Sequence, residues 1–411
     1  SMYGAVDLWV VGRFGAAADV SAVATGGQIM QTVMSVVASL SAGATILLGQ
    51  YVGQNDREGA ATVVGTAAAL FAALALALTG IMIFAARSFT AALQTPAAAV
   101  EQTVAYVRIC SGGAVCIVGY NLLGSIFRGL GDSRTPLIAV IAACVCNIAG
   151  DLLLVGVFRM GVAGAALATV LAQLLSLCGC LVYTFVKYPA LRPNAKDFVP
   201  QWAEIKAHLF AGVPLGFQFS ILAIGIIVMQ SGVVRFDIGA GGVMVAATPA
   251  QNGFGAANKL INFLMAFFNG LGSAMLCYTA QNYGKGNRDR VRRGTLQSLM
   301  IMLVICALCV GAGLALSVGG RYQYIFMSAE KITPASVHYG NLLLYVDLSM
   351  YFILGFLLVV RSAVQGVLQS GYVLGAGIAE LIARVAICAF LPPLFAGGAL
   401  GSDAPAIAFI A

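Results

Sequence analysis

Charge is scarce in this chain. Charged residues fill only 9% of its 411 positions, against roughly 25% in soluble globular domains, and that excludes a soluble fold. A mean hydropathy of +0.94 excludes a disordered chain. The 11 prolines and 49 glycines follow no repeating triplet, so collagen is excluded as well. Histidine occurs only at His208 and His338, far along the chain from the cysteine pairs Cys144/Cys146 and Cys178/Cys180. A zinc site is therefore not expected. No Gly-Lys-Ser/Thr phosphate loop occurs, and no serine or cysteine forms a recognisable nucleophile–base constellation with a histidine. The chain reads as a non-enzyme without a cofactor.

What it does contain is a succession of charge-poor apolar runs, each near the 20 or so residues that span a bilayer. Lipid offers no partner to an exposed peptide group, so such runs fold as helices or as a closed barrel. Barrel strands alternate in polarity, and runs such as Val63–Ala86 do not. The ten cysteines all lie within apolar runs and act as small hydrophobes.

Spans are expected to Val11, then over Gln28–Gly49, Gly59–Ala86, Val100–Phe127, Thr135–Phe158, Val162–Val186, His208–Val234, Val245–Ala280, Thr295–Val318, Val337–Gln365 and Val373–Leu394, with a last helix beginning near Ala404. The first and last are each about half a span or less, which suggests twelve helices in the full protein with both ends clipped. One long polar connection, Lys187–Lys206, carries Pro189, Pro193 and Pro200. It divides the chain into an N-lobe (1–190), a linker (191–206) and a C-lobe (207–411).

The net charge of +7 is scattered over short loops, so a nucleic-acid partner is not expected. One set of alternate loops carries Arg57, Arg128, Arg134, Lys187, Arg192, Lys196, Lys206, Lys285, Arg288, Arg290, Arg292 and Arg293; the other carries Arg13, Arg87, Arg159, Arg235, Arg321 and Lys331. Basic residues collect in the cytoplasm, which places the N-terminus and the linker there, in a plasma (inner) membrane protein.

An internal repeat supports the division. Gly49-Gln-Tyr-Val-Gly-Gln-Asn-Asp-Arg57 aligns with Ala280-Gln-Asn-Tyr-Gly-Lys-Gly-Asn-Arg288, and Arg128-Gly-Leu-Gly-Asp-Ser133 aligns with Gln365-Gly-Val-Leu-Gln-Ser370. With six helices per half, both halves enter the membrane from one side. The expected fold is an all-α polytopic membrane protein of twelve helices, built as two six-helix lobes related by a pseudo-two-fold axis along the membrane normal. That plan belongs to alternating-access transporters.

Ionisable residues inside a span are expensive and functional by default. Asp7 and Asp151 lie at similar depth, and Asn147 sits one helical turn before Asp151. Such an oxygen-rich pocket has two uses. Burial and a like neighbouring charge favour the protonated acid, a proton carrier; alternatively the oxygens hold a hard cation. Bracing of a neighbouring helix is the bland alternative. Glu380 and Arg384, spaced i,i+4, read as a structural or gating ion pair. Asp347 lies deep in the tenth span. Arg108, Lys259 and Arg361 read as snorkelling cations or binders of backbone carbonyls. Met30, Met34, Phe217, Phe219, Phe254, Met265, Phe267 and Phe268 are candidates for an adaptable cavity lining, with ordinary helix packing the alternative.

Several segments resemble the multidrug and toxic compound extrusion (MATE) family. They are Tyr3-Gly-Ala-Val-Asp-Leu-Trp-Val-Val-Gly-Arg-Phe-Gly15, Gln50-Tyr-Val-Gly-Gln-Asn-Asp-Arg57, Arg128-Gly-Leu-Gly-Asp-Ser-Arg-Thr-Pro136 and Gly161-Val-Ala-Gly-Ala-Ala-Leu-Ala-Thr169. The order of Asp7, Asn147 and Asp151 around them agrees with the DinF-like branch. The resemblance implies a two-lobe exporter, monomeric in the lipid bilayer, that expels organic cations against H+ or Na+. It makes Asp7 the first-helix acid, Asn147 and Asp151 the fifth-helix amide and acid, Thr169 a sixth-helix ligand and Tyr106 the fourth-helix tyrosine of one coupling site, which for Na+ would be Asp7, Asn147, Asp151 and Thr169. The NorM-like branch places a glutamate early in the seventh helix, and Gly212–Leu222 has none. The polar stretch Arg235–Gly242 is longer than the family pattern accounts for. Rival readings are a lipid-linked precursor flippase of the same superfamily and a membrane enzyme or channel.

Overall fold

The computed structural model describes residues 2–92, 95–188, 197–198, 201–233, 237, 248–327 and 332–395. These residues are almost wholly helical: α1 (Met2–Phe14), α2 (Ala17–Gln54), α3 (Arg57–Ala92), α4 (Val100–Gly112), α5 (Ala114–Gly129), α6 (Arg134–Asp151), α7 (Gly161–Lys187), α8 (Trp202–Val233), α9 (Pro249–Gly284), α10 (Arg288–Ser317), α11 (Arg321–Phe326), α12 (Pro334–Gly366) and α13 (Ser370–Phe395). Seven helices among the described residues are long and apolar enough to cross a membrane, and an eighth span arises if α4 and α5 are taken together. The chain is an all-α, multi-pass membrane protein.

Local chemistry sets the helix ends. At the end of α2, Asn55 adopts a left-handed conformation (φ 58°) and returns its N–H to the carbonyls of Tyr51 and Val52, the usual way of satisfying the last orphan acceptors. At the start of α12, Thr333 Oγ1 accepts from the Ser336 N–H at 3.1 Å while Ser336 Oγ accepts from the Thr333 N–H at 2.9 Å. Pro334 occupies the first helical position, where its missing N–H costs nothing.

Two expectations need correction. The span expected as one helix over Val100–Phe127 is two helices, α4 and α5, bent by 54° at Gly113; the Gly112-Gly113 pair lies at the break. The span over Thr135–Phe158 is not α-helical throughout. After Asp151 it widens into a π-helical segment, Leu152–Val157. The final helix expected near Ala404, and residues 191–196 and 199–200 of the polar connection, lie outside the described residues.

Two compact units are present. The first comprises Ser1–Gly216 with Ala280–Gly286, the second Phe217–Thr279 with Asn287–Ala411. In the first, α2 packs on α3, α4 and α5, and α7 packs on α4, α5 and α6. Its core includes Val10, Val11, Ile29, Val104, Val107, Ile117, Ala165 and Ala166. The end of α9 joins this unit: Gly53 of α2 lies so close to the Gln281 backbone that a Cβ there would collide with its carbonyl, and Gln281 Nε2 donates to the Gly129 carbonyl at 2.9 Å. In the second unit α10 packs along α12. Its core is centred on Phe268 and Tyr351, edge to face with ring centroids 5.1 Å apart.

Candidate cation site

Four helices of the first unit deliver one buried polar cluster. α1 supplies Asp7, α4 supplies Tyr106, α6 supplies Asn147 and Asp151, and α7 supplies Thr169. Asp7, Asn147 and Asp151 are all at most 1% exposed. Tyr106 donates its hydroxyl to Asp7 Oδ2 at 3.3 Å, and Thr169 Oγ1 donates to the same oxygen at 3.3 Å. Asn147 Nδ2 reaches Asp7 Oδ1 at 3.3 Å and Thr169 Oγ1 at 3.3 Å. The fit depends on α2 yielding space: a Cβ on Gly26 would stand 2.5 Å from the Tyr106 ring.

Asp151 lies against Asp7. Three buried oxygens of the cluster, Asn147 Oδ1 and both carboxyl oxygens of Asp151, have no hydrogen-bond donor. Buried acceptors are almost always satisfied, and two carboxyls set side by side out of water need positive charge between them. The donor set fits either a proton shared by the acids or an oxygen-loving cation. Among the described residues no group of three or more His, Cys, Asp or Glu stands in metal-binding array; the cluster itself offers carboxyl, amide and hydroxyl oxygens.

The cluster opens on a cavity of about 330 Å³, lined by Asp7, Tyr106 and Thr169 together with Met30, Met34, Cys110, Ile117 and Gln173. Met30 and Met34, candidates for a cavity lining by their type, do line it. Gln173 carried no such signal, because a lone glutamine in an apolar run is not titratable. Of the remaining candidates, Phe254 and Phe268 are core residues, Met265 packs against that core, and Phe217 and Phe267 are exposed. The side chain of Phe219 lies outside the described residues.

The other intramembrane charges stand apart from the cluster. Glu380 is met by Arg361, whose Nη2 is 3.1 Å from its Oε2 and joins α12 to α13; the side chain of Arg384 lies outside the described residues. Asp347 sits beside Tyr351, one turn further along α12. Arg108 binds the Ile83 carbonyl at 3.4 Å, and Lys259 stands 6.0 Å from the Phe326 ring centre. Of the polar stretch Arg235–Gly242 only Asp237 is among the described residues. Asp237, fully buried, accepts from the N–H groups of Ala250 at 2.8 Å and Gln251 at 2.9 Å, capping the start of α9.

The Arg128–Pro136 segment forms a polar hub in the α5–α6 turn. Asp132 Oδ1 accepts from the N–H groups of Arg134 and Thr135, each at 3.1 Å, and Oδ2 accepts from Thr135 Oγ1 at 2.7 Å, Tyr188 OH at 3.1 Å and Lys187 Nζ at 3.4 Å. Burial alone favours the neutral acid, but the donors from Thr135, Tyr188 and Lys187 outweigh it and hold the carboxyl down at about 2.

The helices of this membrane protein thus set a buried acid pair beside a cavity. The MatE family model matches residues 1–153 and 250–392, and the chain belongs to that family. It is 30% identical over 284 residues to Probable multidrug resistance protein YpnP of Bacillus subtilis, covering 69% of this chain and 61% of that protein. To Probable multidrug resistance protein NorM of Thermotoga maritima it is 25% identical over 319 residues, 74% of this chain and 65% of that one. The chain thus matches somewhat under two thirds of the length of these relatives. A solved outward-facing multidrug resistance MATE transporter of the MOP superfamily superposes with a TM-score of 0.85 at 21% identity, over 100% of this chain and 87% of that one. The MATE fold is therefore the fold of this chain.

Proposed function

We propose that the chain is a secondary active antiporter, not an enzyme, that exports amphiphilic organic cations in exchange for H+ or Na+ by alternating access. The observation that carries this reading is the buried Asp7/Asp151 pair with three donor-less oxygens at the edge of a 330 Å³ cavity. Asp7, Asn147, Asp151 and Thr169 bind the coupling ion, and Tyr106 positions Asp7. A proton or Na+ arriving there neutralises the acids that attract a cationic drug, so the two ligands weaken one another, and that coupling is reciprocal. It moves the conformational equilibrium only by the difference in its affinity for the two states. The names of the relatives, multidrug resistance and export proteins, agree with the substrate class. The first-lobe placement of the acids favours the DinF-like branch, and the loop charges favour an N-terminus in the cytoplasm; the chain is taken as a monomer of the plasma membrane, with the polar connection 191–206 linking an N-lobe (1–190) to a C-lobe (207–411).

The test is uptake of a fluorescent organic cation into inverted vesicles, driven separately by a proton gradient and a sodium gradient. One gradient should drive uptake, and Asp7→Asn and Asp151→Asn should each lower it at least tenfold while the protein still purifies as a single species. Wild-type transport by both variants would refute the coupling site. Uptake under neither gradient would favour export of a lipid-linked precursor instead.

A further inference from the structure

Gln173 is a polar side chain of the cavity that the cation site does not use. Gln173 lines the cavity from α7, is only 2% exposed, and its Oε1 has no hydrogen-bond donor. A carboxamide in an apolar run is costly to bury and is normally satisfied. Gln173 stands four residues after Thr169, so both project from one face of α7 about 6 Å apart along its axis. Thr169 is bonded to Asp7. The wall also carries Gln28 and Gln31, and its adaptable apolar part includes Met30, Met34 and Ile117. A ligand whose positive charge meets Asp7 thus finds the Gln173 carbonyl one helical turn further on.

We propose that Gln173 is a specificity-determining residue that selects organic cations carrying an N–H or O–H donor about one helical turn from their charge. The inference rests on the efflux reading above and deepens it. Adding a matched donor to a ligand gains a hydrogen bond at Gln173, whereas a cation without one leaves the carbonyl bare, and the difference between the two is the selectivity.

The test compares two lipophilic cations on the purified full chain in detergent. Ethidium carries aromatic amines; tetraphenylphosphonium carries no hydrogen-bonding group. Gln173→Met removes the amide and keeps the length of the side chain. It should weaken ethidium binding roughly five- to tenfold, the worth of one neutral hydrogen bond, and leave tetraphenylphosphonium binding unchanged, which also shows that the variant is folded. Gln173→Asn, with a shorter amide, should show the same split to a smaller degree and serves if the methionine variant does not accumulate. Equal loss of both cations, or no change in either, overturns the proposal while leaving the efflux reading intact. Failure of the wild-type protein to bind either cation overturns both.

Discussion

Replacing Asp132 by asparagine tests whether the α5–α6 turn is held by a charge or merely by a cap. Asparagine has nearly the same shape and also caps helices, so the variant removes the charge and little else. The carboxyl is held at about 2, below the ordinary value near 3.9, and its side chain is only 12% exposed. Linkage converts that difference to on the order of 2 kcal/mol of stability at neutral pH. The sign follows from a depressed value: the contribution is complete above about pH 4 and disappears as pH falls through about 2. Thermal melting in detergent should therefore place Asp132→Asn a few degrees below the wild type at pH 6. The two curves should converge as pH approaches 2.5. A difference that stays constant over that range, or equal melting temperatures at pH 6, would refute the argument, since either result would mean that the donors from Thr135, Tyr188 and Lys187 do not discriminate the charged form.

Two further outcomes follow from packing. Gly53→Val forces a branched side chain against the Gln281 backbone and should cost about 1–3 kcal/mol, read as a lower melting temperature; Gly53→Ala should cost less, and a neutral valine would contradict the close approach. Arg361→Met removes the described ion-pair partner of the Glu380 carboxylate, 25% exposed, and should cost about 1–3 kcal/mol. Adding Glu380→Gln should restore part of that loss in the same assay, and strict additivity would exclude the pair as an interacting unit.

The sequence was informative where a residue contradicts its surroundings. Asp7, Asn147 and Asp151 stand out because carboxyls and amides are rare in apolar runs, and the structure brings them together from α1 and α6. Thr169 and Tyr106 were reachable only through the MATE resemblance, since a hydroxyl in a span is unremarkable. The Glu380/Arg384 spacing cannot be scored, because the Arg384 side chain lies outside the described residues; the described contact to Glu380 from Arg361 on α12 is a pairing that no local pattern encodes. Asp237 was invisible for a similar reason: its partners are the N–H groups of Ala250 and Gln251, thirteen and fourteen residues on, and backbone donors leave no mark on a sequence. The bend at Gly113 and the π-helical turn after Asp151 depend on tertiary packing that hydropathy cannot register.

The length of α2 limits how its two ends can communicate. Its 38 residues make a rod about 57 Å long, whereas a hydrocarbon core of about 30 Å takes up only about 39 Å of helix even at a 40° tilt. At least about 30% of the helix therefore lies beyond the acyl chains. Gly26, against the Tyr106 ring, and Gly53, against Gln281, are 27 residues apart, about 40 Å along the axis, far beyond the reach of any direct contact. A signal between these points travels as displacement of a stiff rod, and the tight seating of Gly53 on Gln281 turns a small rotation at one end into a change of contact at the other.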